Sequence, residues 1–228
     1  MNNLTSKEIA RLIDISAVRA ESTLEEVSDI VESALKYNFI CVFSMPSFLP
    51  DVIEELKDAP QIGVGGIVGF PSGGETTSAK VFQATELKAI GCKEVDMVLN
   101  IGKLKSGLFD DVLDDIRQVK AAVYPLPLKV IMEVALLTDE EISKASFIIK
   151  DAGADFIKTG TGWAGSTTMH HIDIIKQSVG DTIKLKVAGG VRSLDTLLEM
   201  YYCGVTRFGI GYKAALNIME EARNRENN

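Results

Sequence analysis

The chain has 228 residues, 46% hydrophobic and 25% charged, which suits one sizeable domain, and no stretch rich in Pro, Gly and Ser divides it. Its net charge of -8 argues against the basic face that a broad nucleic-acid footprint needs, while small anionic substrates stay open through local fields. Three widely spaced cysteines without zinc-site or disulfide spacing suit a reducing cytoplasm, and with no leader pattern in Met1-Asn2-Asn3-Leu4-Thr5 and no run near ~18 apolar residues, neither secretion nor membrane spanning is expected.

Along the chain, short apolar and β-branched runs alternate with longer segments of helical periodicity, the pattern of a parallel sheet. In order, strands are predicted at Leu12 to Ile15, Phe39 to Phe43, Ile62 to Val68, Glu94 to Leu99, Leu128 to Val134, Asp155 to Lys158, Ile183 to Val187 and Arg207 to Ile210. Helices are predicted at Thr23 to Tyr37, Thr77 to Ile90, Phe109 to Val123, Asp139 to Asp151, His170 to Ser178, Ser193 to Tyr202 and Tyr212 to Arg225, many opened by capping residues or acids. Eight strands close a barrel, and the length matches a single α/β domain of the (β/α)8 TIM-barrel class over residues 1–228. An open doubly wound sheet would want a glycine fingerprint after its first strand, and Ile15-Ser16-Ala17-Val18-Arg19 has none. The polar stretch 220–228 is expected to fray.

A barrel of this kind gathers its chemistry where strands end. Asp14 at the end of the first run, Asp96 inside Val95-Asp96-Met97-Val98, Glu133 and Lys158 at the ends of theirs, and Lys186 in Ile183-Lys184-Leu185-Lys186-Val187 give five different strands one ionisable group each. Alone, each reads as a solvated charge or half of an ion pair; together, acids and amines at one end of a barrel point to a site, because burying charge is costly unless it is paired or used. Lys158 closes the apolar run Ala154-Asp155-Phe156-Ile157 and is followed at once by Thr159-Gly160-Thr161-Gly162-Trp163-Ala164-Gly165-Ser166. A half-buried amine there can lose its proton and become a nucleophile.

The residues also carry a family resemblance. Ile13-Asp14, Gly69-Phe70-Pro71-Ser72-Gly73, Glu94-Val95-Asp96-Met97-Val98, Lys129-Val130-Ile131-Met132-Glu133, Gly153-Ala154-Asp155-Phe156-Ile157-Lys158-Thr159 with Thr161-Gly162, and Lys186-Val187-Ala188-Gly189-Gly190-Val191-Arg192 span nearly the whole chain. In this order they resemble the 2-deoxyribose-5-phosphate aldolase family. The resemblance implies a class I aldolase on a (β/α)8 barrel that works through a lysine Schiff base, with no metal and no cofactor. It implies reversible cleavage of deoxyribose 5-phosphate to acetaldehyde and glyceraldehyde 3-phosphate. It assigns the Schiff base to Lys158, its electrostatic partner to Lys186, and proton transfer to Asp96 with Asp14 in support.

Physical chemistry supplies a reason for that assignment. An ordinary lysine, with a pKa near ~10.4, is neutral in only about one part in a thousand at neutral pH, and only the neutral amine attacks a carbonyl. A second ammonium nearby and partial desolvation both depress the pKa, and Lys186 on the next strand is the natural neighbour. The far end of a sugar phosphate is expected at the loops after the seventh and eighth strands, Gly189-Gly190 and Gly209-Ile210-Gly211, where Ser193 can open a helix toward an anion. Thr159 and Thr161 join the expected binding residues, with Glu133, Ser16 and Trp163 behind them.

The chain departs from the family pattern in four places. Ile210-Gly211-Tyr212-Lys213 and Gly160 stand where members commonly carry serines, and Asp14-Ile15-Ser16 stands where many read Asp-His-Thr. Trp163 stands where others carry an aromatic or a lysine, and it reads as a pocket wall or as rim packing. These changes keep the aldol machinery and leave a different sugar, sugar phosphate or aldehyde as an alternative substrate, with a non-catalytic sugar-phosphate-binding barrel as the further alternative. His170 and His171, adjacent at a helix start, point different ways and make no metal cluster. The expected partner is a small aldehyde or sugar phosphate, not nucleic acid or membrane, and a homodimer would be ordinary for the architecture.

Overall fold

The computed structural model describes residues 4–227. Met1–Asn3, read above as lacking a leader pattern, and Asn228 at the end of the polar tail lie outside the described residues. Eight parallel strands close into a barrel in sequence order: β1 (Ile13–Ala17), β2 (Cys41–Ser44), β3 (Gly63–Val68), β4 (Glu94–Val98), β5 (Leu128–Ile131), β6 (Phe156–Lys158), β7 (Lys184–Ala188) and β8 (Arg207–Gly211). Closure is made by β8 against β1, with Asp14 opposite Gly209 and Ser16 opposite Gly211. The helices are α1 (Ser6–Ala10), α2 (Leu24–Tyr37), α3 (Leu49–Glu55), α4 (Thr77–Ile90), α5 (Ile101–Lys105), α6 (Phe109–Val123), α7 (Asp139–Asp151), α8 (Met169–Val179), α9 (Leu194–Tyr202) and α10 (Tyr212–Glu226).

The helices start where side chains can satisfy their first free amides. Thr138 accepts from Glu141 N at 3.3 Å while Glu141 Oε2 accepts from Thr138 N at 2.9 Å, closing a capping box on α7. Thr76 and Ser193 cap α4 and α9 by accepting from Ala79 N and Thr196 N, and Asn38 ends α2 in a left-handed conformation. The short α1, α3 and α5 escape a periodicity reading because five to seven residues do not complete two turns of pattern.

One correction concerns the end of a strand. The fifth strand stops at Ile131 and does not run to Val134, because Glu133 adopts left-handed backbone angles (φ 58°, ψ 62°) and Val134–Leu136 coil into a 3-10 turn. The polar stretch from Glu220 continues α10 to Glu226, with Ala222 buried and Glu226 Oε1 accepting from Ser6 N at 2.5 Å.

Strand alternation sorts the side chains into two unlike regions. Ile13 and Ile15, Val95 and Met97, and Leu185 and Val187 point outward and join the large apolar core between barrel and helices. The inward set holds Asp14, Glu94, Asp96, Lys129, Lys158 and Lys186, all buried, with a small apolar cluster of Cys41, Phe43 and Ile67. Phe43 reaches across the barrel because β3 offers a glycine opposite: a Cβ on Gly65 would lie 2.2 Å from the Phe43 ring. The interior of this barrel is therefore largely ionic, and its charges converge on one aromatic ring.

Candidate active site

A cavity of about 690 Å³ opens at the carboxyl ends of the strands, bounded by loops that follow β1, β3, β6, β7 and β8. Lys158 and Lys186 form its floor, with Asp14 beside them. β6 ends at Lys158 in register with Lys186 of β7, so parallel pairing delivers both amines to one layer. Lys158 is 7% exposed and Lys186 is 1% exposed.

Both amines converge on one carboxylate oxygen. Lys158 Nζ and Lys186 Nζ each donate to Asp96 Oδ2 at 2.7 Å, and Lys186 Nζ also lies 2.6 Å from Asp14 Oδ2. The other Asp96 oxygen accepts from Lys129 Nζ at 3.2 Å. Burial alone would raise the pKa of Asp96, but Lys129, Lys158 and Lys186 together hold it far below the usual carboxylate range. Asp14 is likewise held down by Lys186, Lys129 and Arg207 against its own burial. For Lys158, burial outweighs the attraction of Asp96, and repulsion from Lys186 and Lys129 adds to it, leaving the amine with a pKa of about 8.

Asp96 is fully buried and does not reach the cavity, being roofed by the two amines. A proton passing between substrate and Asp96 must therefore travel through Lys186, Lys158 or a water. Thr159 does not line the cavity either: its hydroxyl donates to Ala188 O and accepts from Ala188 N and from Thr167 Oγ1, which packs the turn after β6 against β7.

Glu133 also lies outside the cavity lining. Its carboxylate accepts from Thr161 N at 3.1 Å and from Thr161 Oγ1, tying the end of β5 to the loop after Lys158. A Cβ on Gly160 would stand 2.8 Å from Glu133 Oε1, so a side chain there would have to move the carboxylate that holds Thr161. Thr161, which lines the cavity, directs its hydroxyl to Glu133 and accepts from Trp163 N at 2.9 Å. Trp163 Nε1 donates to Val18 O at 3.1 Å, and its ring meets Phe70 edge-on at 5.8 Å, so the loops after β1, β3 and β6 join into one wall.

Gly189, Gly190, Gly209 and Gly211 also line the cavity, Gly209 directly against Lys186, and so does Ser16, whose hydroxyl donates to Ile210 O at 3.4 Å. Gly211 is the N-cap of α10, so the start of a fifteen-residue helix faces the cavity. Arg19, Arg192 and Lys213 also border it and supply the positive charge that the absent hydroxyls do not.

Sequence reasoning passed over the layer beneath. Lys129 Nζ lies 2.6 Å from Glu94, and Arg207 Nη1 lies 2.6 Å from Asp14 and 3.2 Å from Glu94. The Phe43 ring sits against three ammoniums, with its centroid 4.2 Å from Lys186 Nζ, 5.0 Å from Lys129 Nζ and 5.9 Å from Lys158 Nζ. The available signal was period two: Glu94 with Asp96, and Lys184 with Lys186, put like charges on one strand face.

Asp14, Cys41 and Glu94 bring three donor atoms within 4.8 Å of one another in this lower layer. They do not fit a cation, because Lys129 and Arg207 already occupy the carboxylates and burial pushes the Cys41 thiol well above its ordinary pKa. His170 and His171 sit at the start of α8, His170 against Asp139 and His171 Nδ1 accepting from Thr168 N. Among the described residues no helix is long and apolar enough to cross a membrane.

Comparison with known proteins agrees with this geometry. Residues 6–214 match the family described as DeoC/LacD family aldolase. A deoxyribose-phosphate aldolase of Sinorhizobium medicae is 45% identical over 96% of this chain and 89% of its own. The solved structure titled "QR15, an Aldolase" superposes with a TM-score of 0.86 at 33% identity, covering 96% of this chain and 97% of that one. The deoxyribose phosphate aldolase of Aeropyrum pernix, whose structure is described as a tetramer, shares the fold at a TM-score of 0.84 and 22% identity, covering 97% of this chain and 93% of its own.

Proposed function

The chain belongs to the DeoC/LacD family of aldolases, and we propose that it is a deoxyribose-phosphate aldolase that cleaves 2-deoxy-D-ribose 5-phosphate reversibly to acetaldehyde and D-glyceraldehyde 3-phosphate through a Schiff base on Lys158. The observation that carries the reading is a buried amine with a pKa of about 8 on the floor of the cavity, beside a second amine and above a carboxylate.

In the cleavage direction, neutral Lys158 Nζ adds to the C1 aldehyde of the open-chain sugar, and the carbinolamine loses water to give an iminium. The C3 hydroxyl loses its proton, the C2–C3 bond breaks, and its electron pair moves onto C2 to form an enamine conjugated with nitrogen. Glyceraldehyde 3-phosphate leaves, C2 takes up a proton, and water hydrolyses the resulting iminium to acetaldehyde and free Lys158. Lys129 and Lys186 hold Asp96 ionised at rest, so that it can take up the C3 hydroxyl proton through Lys186 or a water and return a proton to C2 by the same route. Asp14 fixes Lys186 for that exchange.

The phosphate is assigned to the side lined by Gly189, Gly190, Gly209 and Gly211, where backbone amides, the start of α10 and the cations Arg19, Arg192 and Lys213 replace the missing hydroxyls. This substitution supports a second reading, the same chemistry on another sugar phosphate or aldehyde. Borohydride trapping with acetaldehyde tests the nucleophile: Lys158→Ala must abolish it, and persistence of the adduct sinks the assignment. Comparing kcat/KM for deoxyribose 5-phosphate with that for deoxyribose tests the phosphate end, and equal values would favour the second reading. A homo-oligomer in a reducing cytoplasm belongs to the proposal, and light scattering distinguishes dimer from tetramer.

A further inference from the structure

Seven ionisable side chains meet inside the barrel: the cations Lys129, Lys158, Lys186 and Arg207, and the acids Asp14, Glu94 and Asp96. None of these side chains is more than 12% exposed. With every group charged, four positive charges face three negative ones. An uncompensated charge in such surroundings is costly, and loss of one proton from one amine makes the array neutral.

The ion-pair geometry decides which amine gives up the proton. Arg207 does not deprotonate. Lys129 Nζ contacts Glu94 at 2.6 Å, Asp96 at 3.2 Å and Asp14 at 3.8 Å. Lys186 contacts Asp14 and Asp96 at 2.6 and 2.7 Å, whereas Lys158 has one carboxylate contact, at an oxygen that it shares with Lys186. Lys158 is therefore the most weakly compensated of the three ammoniums.

We propose that Lys129, paired with Glu94 below the cavity, is a positioning residue for the nucleophile: it supplies the third buried cation, so that the array is electroneutral only when Lys158 carries no proton. This rests on the reading of Lys158 as the Schiff-base amine. Lys129 does not line the cavity and acts only through the charges between it and Lys158.

The other groups that face the array do not alter the balance. β2 contributes Cys41, whose thiol stays protonated, and β3 contributes Gly65 and Ile67. Lys184 on β7 is exposed and lies over the Phe156 ring. Arg11, which feels Arg207 and Cys41, is only partly buried at the other end of the barrel, where it donates to Asn38 O and Phe39 O, and Glu133 turns to Thr161.

The test follows the pH dependence of borohydride trapping of acetaldehyde, read by intact-protein mass, in wild type, Lys129→Met, Glu94→Gln, the double variant and Lys129→Arg. Lys129→Met removes a cation, so the midpoint should rise by about one unit and trapping at pH 7 should fall ~10-fold. Glu94→Gln removes an acid, so the midpoint should fall. The double variant restores the count and Lys129→Arg preserves it, so both should titrate near wild type. A merely structural role would lower the amplitude in both single variants, and further in the double, without moving the midpoint.

Unmoved midpoints in the single variants, or movement in the same direction, overturn the proposal. If a single variant does not fold, the double and Lys129→Arg decide, and a midpoint displaced in either overturns it. Trapping by Lys158→Ala separates the two readings: persistence there sinks the Schiff-base assignment, whereas its loss together with unmoved midpoints sinks only the role of Lys129.

Discussion

Lys158 Nζ donates to Asp96 Oδ2 at 2.7 Å, and its pKa nevertheless lies near 8, below that of an ordinary lysine. A carboxylate at that distance raises an amine's pKa, so burial and the repulsion of Lys186 and Lys129 must outweigh it. The reactive form is the one without the proton, so Schiff-base formation should accelerate as pH rises through about 8. At pH 6 the rate should be ~100-fold below its alkaline plateau, since each unit below the midpoint removes a factor of about ten. Rapid-quench trapping across pH 6 to 10 measures this, and a flat profile would contradict it.

The same depressed pKa weakens the fold. Between about 8 and the ordinary value of 10.5, the unfolded chain holds a proton on Lys158 that the folded chain does not, so stability rises with pH across that window. Below pH 8 the full penalty applies, on the order of 3 kcal/mol. Lys158→Met removes both the penalty and the excess charge, while Lys186 and Lys129 keep Asp96 paired. The variant should be inactive yet melt a few degrees higher than wild type at pH 7, and a calorimetric scan that finds it less stable rules this account out.

The sequence disclosed Lys158 because a lysine that closes an apolar strand before a glycine-rich loop has no packing reason to be there. Asp14, Asp96 and Lys186 could be read with it because each is an ionisable group set between apolar neighbours in its own strand run. Lys129, Glu94 and Arg207 fall early in theirs, where a charge reads as solvated rim. Only closure of β8 on β1 shows that these early positions point at one another across the barrel. Periodicity also located the eight strands while misjudging β5, since nothing in Met132-Glu133-Val134 announces the left-handed turn at Glu133. Thr159 shows what a linear reading leaves out: its hydroxyl, beside the nucleophile in sequence, is engaged by Ala188 and Thr167, which only the packing of β6 against β7 brings to it.

Glu133 and Gly160 should behave as one unit. Gly160→Val would force the Glu133 carboxylate from its place beside Thr161, costing the loop its two bonds to that carboxylate, about 1–3 kcal/mol if the groups stay buried and unpaired. Because this loop borders the cavity and Glu133 does not, KM should rise more than kcat falls. Glu133→Ala should reproduce the effect, and Gly160→Val should cost much less in that background than alone. Additive losses in the double-mutant cycle would show that the two positions act separately.

Trp163 is the sole tryptophan of the sequence and stands in the cavity wall, 38% exposed, with the Arg19 guanidinium 5.6 Å from its ring. The same guanidinium donates to Gly162 O at 3.1 Å, so Arg19 and the indole brace the mouth of the site together. Any sugar phosphate that enters must alter the polarity around this ring. Titrating Lys158→Ala, which cannot turn over, with deoxyribose 5-phosphate should therefore shift or quench the intrinsic emission in a saturable way, and deoxyribose should do so more weakly. Trp163→Ala would remove the contact with Phe70 and the bond to Val18 O, together about 1–2 kcal/mol. That loss should appear as a ~10-fold rise in KM with little change in kcat, because the indole has no contact with the amines. A large fall in kcat with KM unchanged would instead place Trp163 in the chemical step.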